Sequence, residues 1–199
     1  MSQHFKKYAA EASRLANSRA TREETYYPAI KELLAAILKE ERLPFDPRVN
    51  TKQDRAGGGQ DLPDVAFYDG KGEFLVVCGE VKLPAAEIDQ MAVSTEQKDQ
   101  VGRYLAQSRV VLLCNVRAFG LLTVDPKWAE KGPVPPAYRR LEQVAELWPS
   151  LTALKQGKPT SEDGARDLNE ILEAAVTKFA TIVEPESLAR ILARQARRA

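Results

Sequence analysis

The chain has 199 residues, 44% hydrophobic and 29% charged, with a formal net charge of +1. That length suits one well-buried core, and the composition is that of an ordinary soluble protein. No apolar run nears the roughly 20 residues of a membrane span, and the first residues form a polar, helix-like stretch in place of an apolar signal core.

Residues 3–17 read as a first helix. A second is expected from about Arg22 to Glu40, with Thr21 as N-cap and Glu24 at capping-box spacing. Its seam is Tyr27, Ile30, Leu34 and Ile37, a 3.6-residue period. Leu43-Pro44-Phe45-Asp46-Pro47 ends it, and residues 51–61 form a polar, glycine-rich loop. Val65–Tyr68 reads as a short strand, Asp69–Gly72 as a turn and Glu73–Lys82 as a long strand. A helix follows at Ser94–Gln107, then strands at Val110–Asn115 and Phe119–Val124. After a proline-rich link, a helix is expected near 138–148, with a linker at Lys155–Gly164 and further helices near 166–180 and 185–198. The division is a core at 1–150 and a linker with helical extension at 151–199, built as an α/β layer sandwich.

Cys78 and Cys114 lie in apolar strand-like runs and read as buried free thiols, which suits a reducing, cytoplasmic setting. His4 is the only histidine and lies in the N-terminal tail, which argues against a serine or cysteine hydrolase. Both ends are basic: Lys6, Lys7, Arg14, Arg19 and Arg22 at the start, Arg190, Arg194, Arg197 and Arg198 at the end. Such ends suit a phosphate backbone, and they equally suit solvated helix faces.

The chemistry concentrates at Pro63-Asp64 and Glu80-Val81-Lys82. Alternation along the strand points Cys78, Glu80 and Lys82 to one face. An isolated E-x-K triplet carries little weight, since a chain this long holds about one by chance; Glu96-Gln97-Lys98 is such a decoy. A symmetric hairpin would place Asp64 opposite roughly Val77, so a shared site with Glu80 requires a bulge or strong bend. Counting about 100° per residue, Glu23 falls on the apolar seam of the second helix, whereas Glu24 points about 100° away. Two carboxylates and an ammonium suit a hard divalent cation beside a phosphodiester, because magnesium takes oxygen ligands and few protein carboxylates.

Taken in order, Glu23-Glu24-Thr25-Tyr26-Tyr27-Pro28-Ala29, Pro63-Asp64, Glu80-Val81-Lys82 and Gln100-Val101-Gly102-Arg103-Tyr104 resemble the successive motifs of PD-(D/E)XK nucleases. The likeness covers about residues 20–124 and is nearest to the N-terminal nuclease domains of type IIG-like restriction-modification enzymes. It implies a restriction-endonuclease-like three-layer core, a mixed central sheet flanked by helices, with a helical C-terminal extension. It implies metal ligation by Asp64, Glu80 and Glu23, an orienting or activating Lys82, and Gln100 lining the site with Tyr104 in support. The implied cofactor is Mg²⁺, with Mn²⁺ as substitute, and the implied partner is double-stranded DNA. Double-strand cutting would further require a homodimer or sequential nicking. The methyltransferase motif of the fused enzymes is missing from this chain, which leaves two readings: an excised nuclease domain whose methyltransferase and specificity region lies outside it, or a stand-alone member. A resolvase or repair nuclease of the same fold, and a non-catalytic DNA- or protein-binding module, are the alternative readings.

Overall fold

The computed structural model describes residues 2–18, 22–43, 45–49, 53–54, 60–61, 63–69 and 75–182. Thr21, the hairpin turn after Asp69 and the expected helix at 185–198 lie outside these residues.

Helix α1 (Gln3–Ala16) and helix α2 (Tyr27–Glu40) pack together. The expected start of α2 at Arg22 is corrected: Glu23–Thr25 forms a 3-10 turn instead. Pro28 is the physical reason. Within a continuous α-helix its ring would oppose the Glu24 carbonyl, but in the first turn its missing N–H costs nothing.

A strand that the sequence did not announce, β1 (Phe45–Val49), comes next. Two short strands, β2 (Gln53–Asp54) and β3 (Gln60–Asp61), pair within the glycine-rich segment. Then come β4 (Val65–Asp69), β5 (Leu75–Val81), α3 (Ile88–Val93), α4 (Glu96–Ser108), β6 (Val110–Cys114) and β7 (Ala118–Val124). The helix expected near 138–148 is also corrected: after a 3-10 turn at Pro136–Tyr138 the chain forms strand β8 (Arg139–Glu146). Helices α5 (Leu151–Lys155) and α6 (Glu162–Ile182) complete the described fold.

Six strands form one mixed sheet in the order β1-β4-β5-β6-β7-β8. Only β5 and β6 run parallel, joined through α3 and α4; every other neighbouring pair is antiparallel. β1 is an edge strand, which is where Pro47 can sit without costing a ladder hydrogen bond.

Apolar residues split between the two faces by strand alternation. On one face Val65, Phe67, Val77, Leu112 and Leu121 pack with α1, α2, α5 and α6 around Tyr8, Leu34 and Trp148. On the other, Cys78, Val111, Leu113 and Leu122 pack with α3 and α4 around Ile88, Tyr104 and Leu105. The architecture is therefore three-layered: helices, sheet, helices. Leu168, Ile171, Leu172 and Ala175 of α6 belong to the first of these cores. Its approach to the end of β8 depends on Gly164, where a Cβ would lie 2.1 Å from the Glu146 carbonyl oxygen. Both cysteines are buried and free.

Candidate active site

The register between β4 and β5 places the acids. Val65 pairs with Gly79, Ala66 with Cys78 and Phe67 with Val77, but Tyr68 pairs with Leu75. A bulge lies between Phe67 and Tyr68. Continued without it, the Tyr68–Leu75 pairing would bring Asp64 level with Gly79, and Glu80 would point to the opposite face. One extra residue in β5 advances the register, so Asp64 comes level with Glu80 on a shared face. The bulge expected from the sequence is present.

Asp64 is held from two directions. The Tyr27 hydroxyl donates to its Oδ1 at 2.5 Å, and the Val81 N–H donates to its Oδ2 at 2.8 Å. In the sequence Tyr27 reads as part of the core seam. Its position one helical turn after Glu23 was the available sign of a second role.

Glu80 is 4% exposed. Its Oε1 accepts from Lys82 Nζ at 2.7 Å, while its Oε2 is buried with no hydrogen-bond partner. Burial first, then the Asp64 charge, pushes the Glu80 carboxyl up to about 7 against the pull of Lys82. Burial likewise raises Asp64, opposed by its hydrogen bonds from Tyr27 and Val81. For Lys82, burial alone would lower the pKa, but Glu80, Glu23 and Asp64 together raise it. Lys82 is thus held as an ammonium at neutral pH.

Glu23 is half-buried, with Oε2 3.8 Å from Lys82 Nζ, whereas Glu24 is exposed. From the sequence, Glu23 is expected on an α-helix. The 3-10 turn replaces that helix, yet it is Glu23 that meets Lys82. Burial raises its pKa, with Lys82 opposing. Replacing Glu23 by Gln should lower the Lys82 pKa and Glu24→Gln should leave it in place, as read by NMR titration of the lysine side-chain carbon.

On α4, Gln100 and Tyr104 lie one turn apart on a single face. The Gln100 Nε2 donates to the Tyr104 hydroxyl, and its Oε1 is buried without a partner. Glu80, Lys82 and Gln100 line one cavity of about 150 Å³, walled further by Ala86, Glu87 and Met91. The α3 side of this wall was not foreseen, because that stretch read as loop.

A divalent cation can be tested against this arrangement. Among the described residues no group of three or more His, Cys, Asp or Glu side chains is disposed to hold a metal ion. Glu23 instead faces Lys82. Two carboxylates nevertheless suffice for magnesium, whose remaining positions go to water and substrate oxygen. A buried carboxylate oxygen without a partner is costly unless a cation or donor meets it. The donor set is all oxygen, so Asp64 and Glu80 fit a hard cation.

No protein-family model and no curated protein matches the chain. Among solved structures it is similar to DrdV, determined by cryo-EM as a DNA complex, at TM-score 0.51 and 16% identity over 87% of this chain. It is also similar to the type IIG restriction endonuclease BpuSI, at TM-score 0.54 and 13% identity over 82% of this chain. The chain spans 14% of the former and 19% of the latter. The six-stranded mixed sheet, its two helical layers and these similarities identify a restriction-endonuclease-like fold.

Proposed function

We propose that the chain is a Mg²⁺-dependent endonuclease module acting on double-stranded DNA, the cleavage part of a type IIG-like restriction-modification system. The observation that carries this reading is Glu80, buried with one unpartnered oxygen, level with Asp64 and salt-bridged to Lys82. A purely structural ion pair at a strand end is usually exposed and weak. This one is enclosed, shares its ammonium with a second acid and borders a cavity.

In this reading Asp64 and Glu80 would hold the cation, with Tyr27 and the Val81 N–H keeping the Asp64 carboxylate in a single orientation. The cation would supply charge neutralisation at the phosphate and would lower the pKa of the attacking water, whose proton would leave to solvent. Lys82, already protonated, serves as a donor and fixed positive charge beside the developing negative charge, so it does not take the water's proton. Glu23 holds the ammonium from its other side. Gln100 offers a free acceptor oxygen to a water or substrate donor in the cavity.

The experiment is plasmid nicking with Mg²⁺, with Mn²⁺ as substitute and with chelator, comparing the wild-type chain with Asp64→Ala. Cleavage that needs metal and is lost in Asp64→Ala is the expected result. DNA binding without cleavage under every metal condition would move the chain to a non-catalytic binding module.

A further inference from the structure

We propose that Arg139 is a positioning residue for this site: its buried guanidinium pins the left-handed residue Asp99 within α4 and so holds Gln100 at the Glu80 cavity. The inference rests on the endonuclease reading for its consequence, but not for its geometry.

α4 is locally distorted near its start. Asp99, four residues into the helix, has φ +61°, a left-handed conformation that L-residues adopt singly and not within helices. Its Oδ1 accepts from the Gly102 N–H at 3.1 Å, the reach of a helix-capping side chain. Gln100 follows directly on this distorted residue, and α4 runs on to Ser108.

Arg139, in β8, supplies what holds this residue. Its side chain is 1% exposed, and its Nη2 donates to Asp99 Oδ1. Its Nη1 donates to the carbonyls of Ser94 (2.7 Å) and Ala92 (3.3 Å), and its Nε donates to Val134 O at 2.8 Å. One guanidinium thus ties the end of α3, the distorted turn of α4 at Asp99 and the link before β8. Arginine suits this task because its donors form a rigid planar fork. Gly102 completes the arrangement: a Cβ there would lie 2.5 Å from Asp99 Oδ2 and 2.7 Å from Arg139 Nη2.

Position argues for function beyond stability. The segments pinned by Arg139 include Ser94, Glu96 and Gln100, all of which line the cavity with Glu80 and Lys82. Gln100 is also the residue with a buried, unpartnered oxygen. A buried charged pair that stabilised the fold alone would have no reason to sit at a distorted residue directly before it.

The test uses Gly102→Ala, which crowds the Asp99–Arg139 pair without removing any polar group. In the full chain, the Gln100 side-chain amide NMR signals, identified by their loss in Gln100→Ala, should move in Gly102→Ala. Unmoved signals would overturn the proposal. Misplacement of a site residue by about 1 Å can cost up to about 10²-fold in rate. Single-turnover cleavage should therefore fall about tenfold or more in Gly102→Ala. In a Gln100→Ala background, the same substitution should have less than about a twofold further effect. Additive losses would mean general damage and would sink the proposal. Should Gly102→Ala fail to fold, Asp99→Asn, which keeps the capping oxygen and removes the charge, is read through the same cycle. If the wild-type chain does not cleave, the endonuclease reading falls, and the amide signals alone decide the positioning.

Discussion

Lys82→Ala is expected to lower the single-turnover cleavage rate by about 10²–10³ while leaving the affinity for DNA within about twofold. The magnitude follows from preorganised charge, which contributes most where charge develops in the transition state. Lys82 meets that condition: it is half-buried, 2.7 Å from Glu80 and 3.8 Å from Glu23. Its removal also strips Glu80 of its one hydrogen-bond donor, so metal affinity at neutral pH should fall as well. Titrating the variant with Mg²⁺ separates the effects, since saturating metal restores binding but not rate. Normal cleavage by Lys82→Ala, or loss of DNA binding in step with activity, would reduce the pair to a structural contact.

The second large effect is on stability. Glu80→Gln should stabilise the metal-free protein, by an amount on the order of 1–3 kcal/mol at pH 7 and above, and abolish specific metal binding. The sign follows from the direction of the shift. The Glu80 carboxyl is raised from its ordinary value of 4.5 to about 7. Between those values the folded chain binds more protons than the unfolded chain, so metal-free stability falls as pH rises from about 4.5 to about 7. Melting temperatures across that window should decline in the wild type and flatten in Glu80→Gln. Metal affinity should follow the opposite course, weakening by up to about tenfold for each pH unit below 7, because the cation competes with the proton. A wild-type melting curve indifferent to pH, with Mg²⁺ binding unchanged from pH 7 to 5, would contradict the buried-carboxylate account.

Much of this fold was legible because its central elements obey simple periods. α1, α2, β4 to β7 and α4 follow from apolar spacing. The elements that escaped are those where periodicity misleads. Around β8, Tyr138, Leu141, Ala145 and Trp148 recur near helical spacing, while an edge strand with exposed positions offers little alternation to oppose it. β1 is five residues long and carries Pro47, and α3 has only six residues. Of the site, strand alternation puts Glu80 and Lys82 on one face but gives that pair little weight by itself, and the helical count that put Glu23 on the α2 seam ran through residues that form a 3-10 turn. The relation of Asp64 to Glu80 was not readable, because a bulge leaves no mark on local composition. Neither was the role of Tyr27, whose bond to Asp64 joins residues 37 apart in sequence.

The bulge between Phe67 and Tyr68 also governs which insertions and deletions this chain can accept. Residues added to the hairpin turn lie beyond the last pairing and leave Asp64 opposite Glu80, however long the turn grows. A single residue removed from β5 at the bulge would preserve every strand yet rotate the two acids to opposite faces of the sheet. The sequence distance between Asp64 and Glu80 is therefore free to drift, while the parity of the paired segment is not. Motifs written as fixed spacings would track the quantity that varies and miss the one that the fold holds constant.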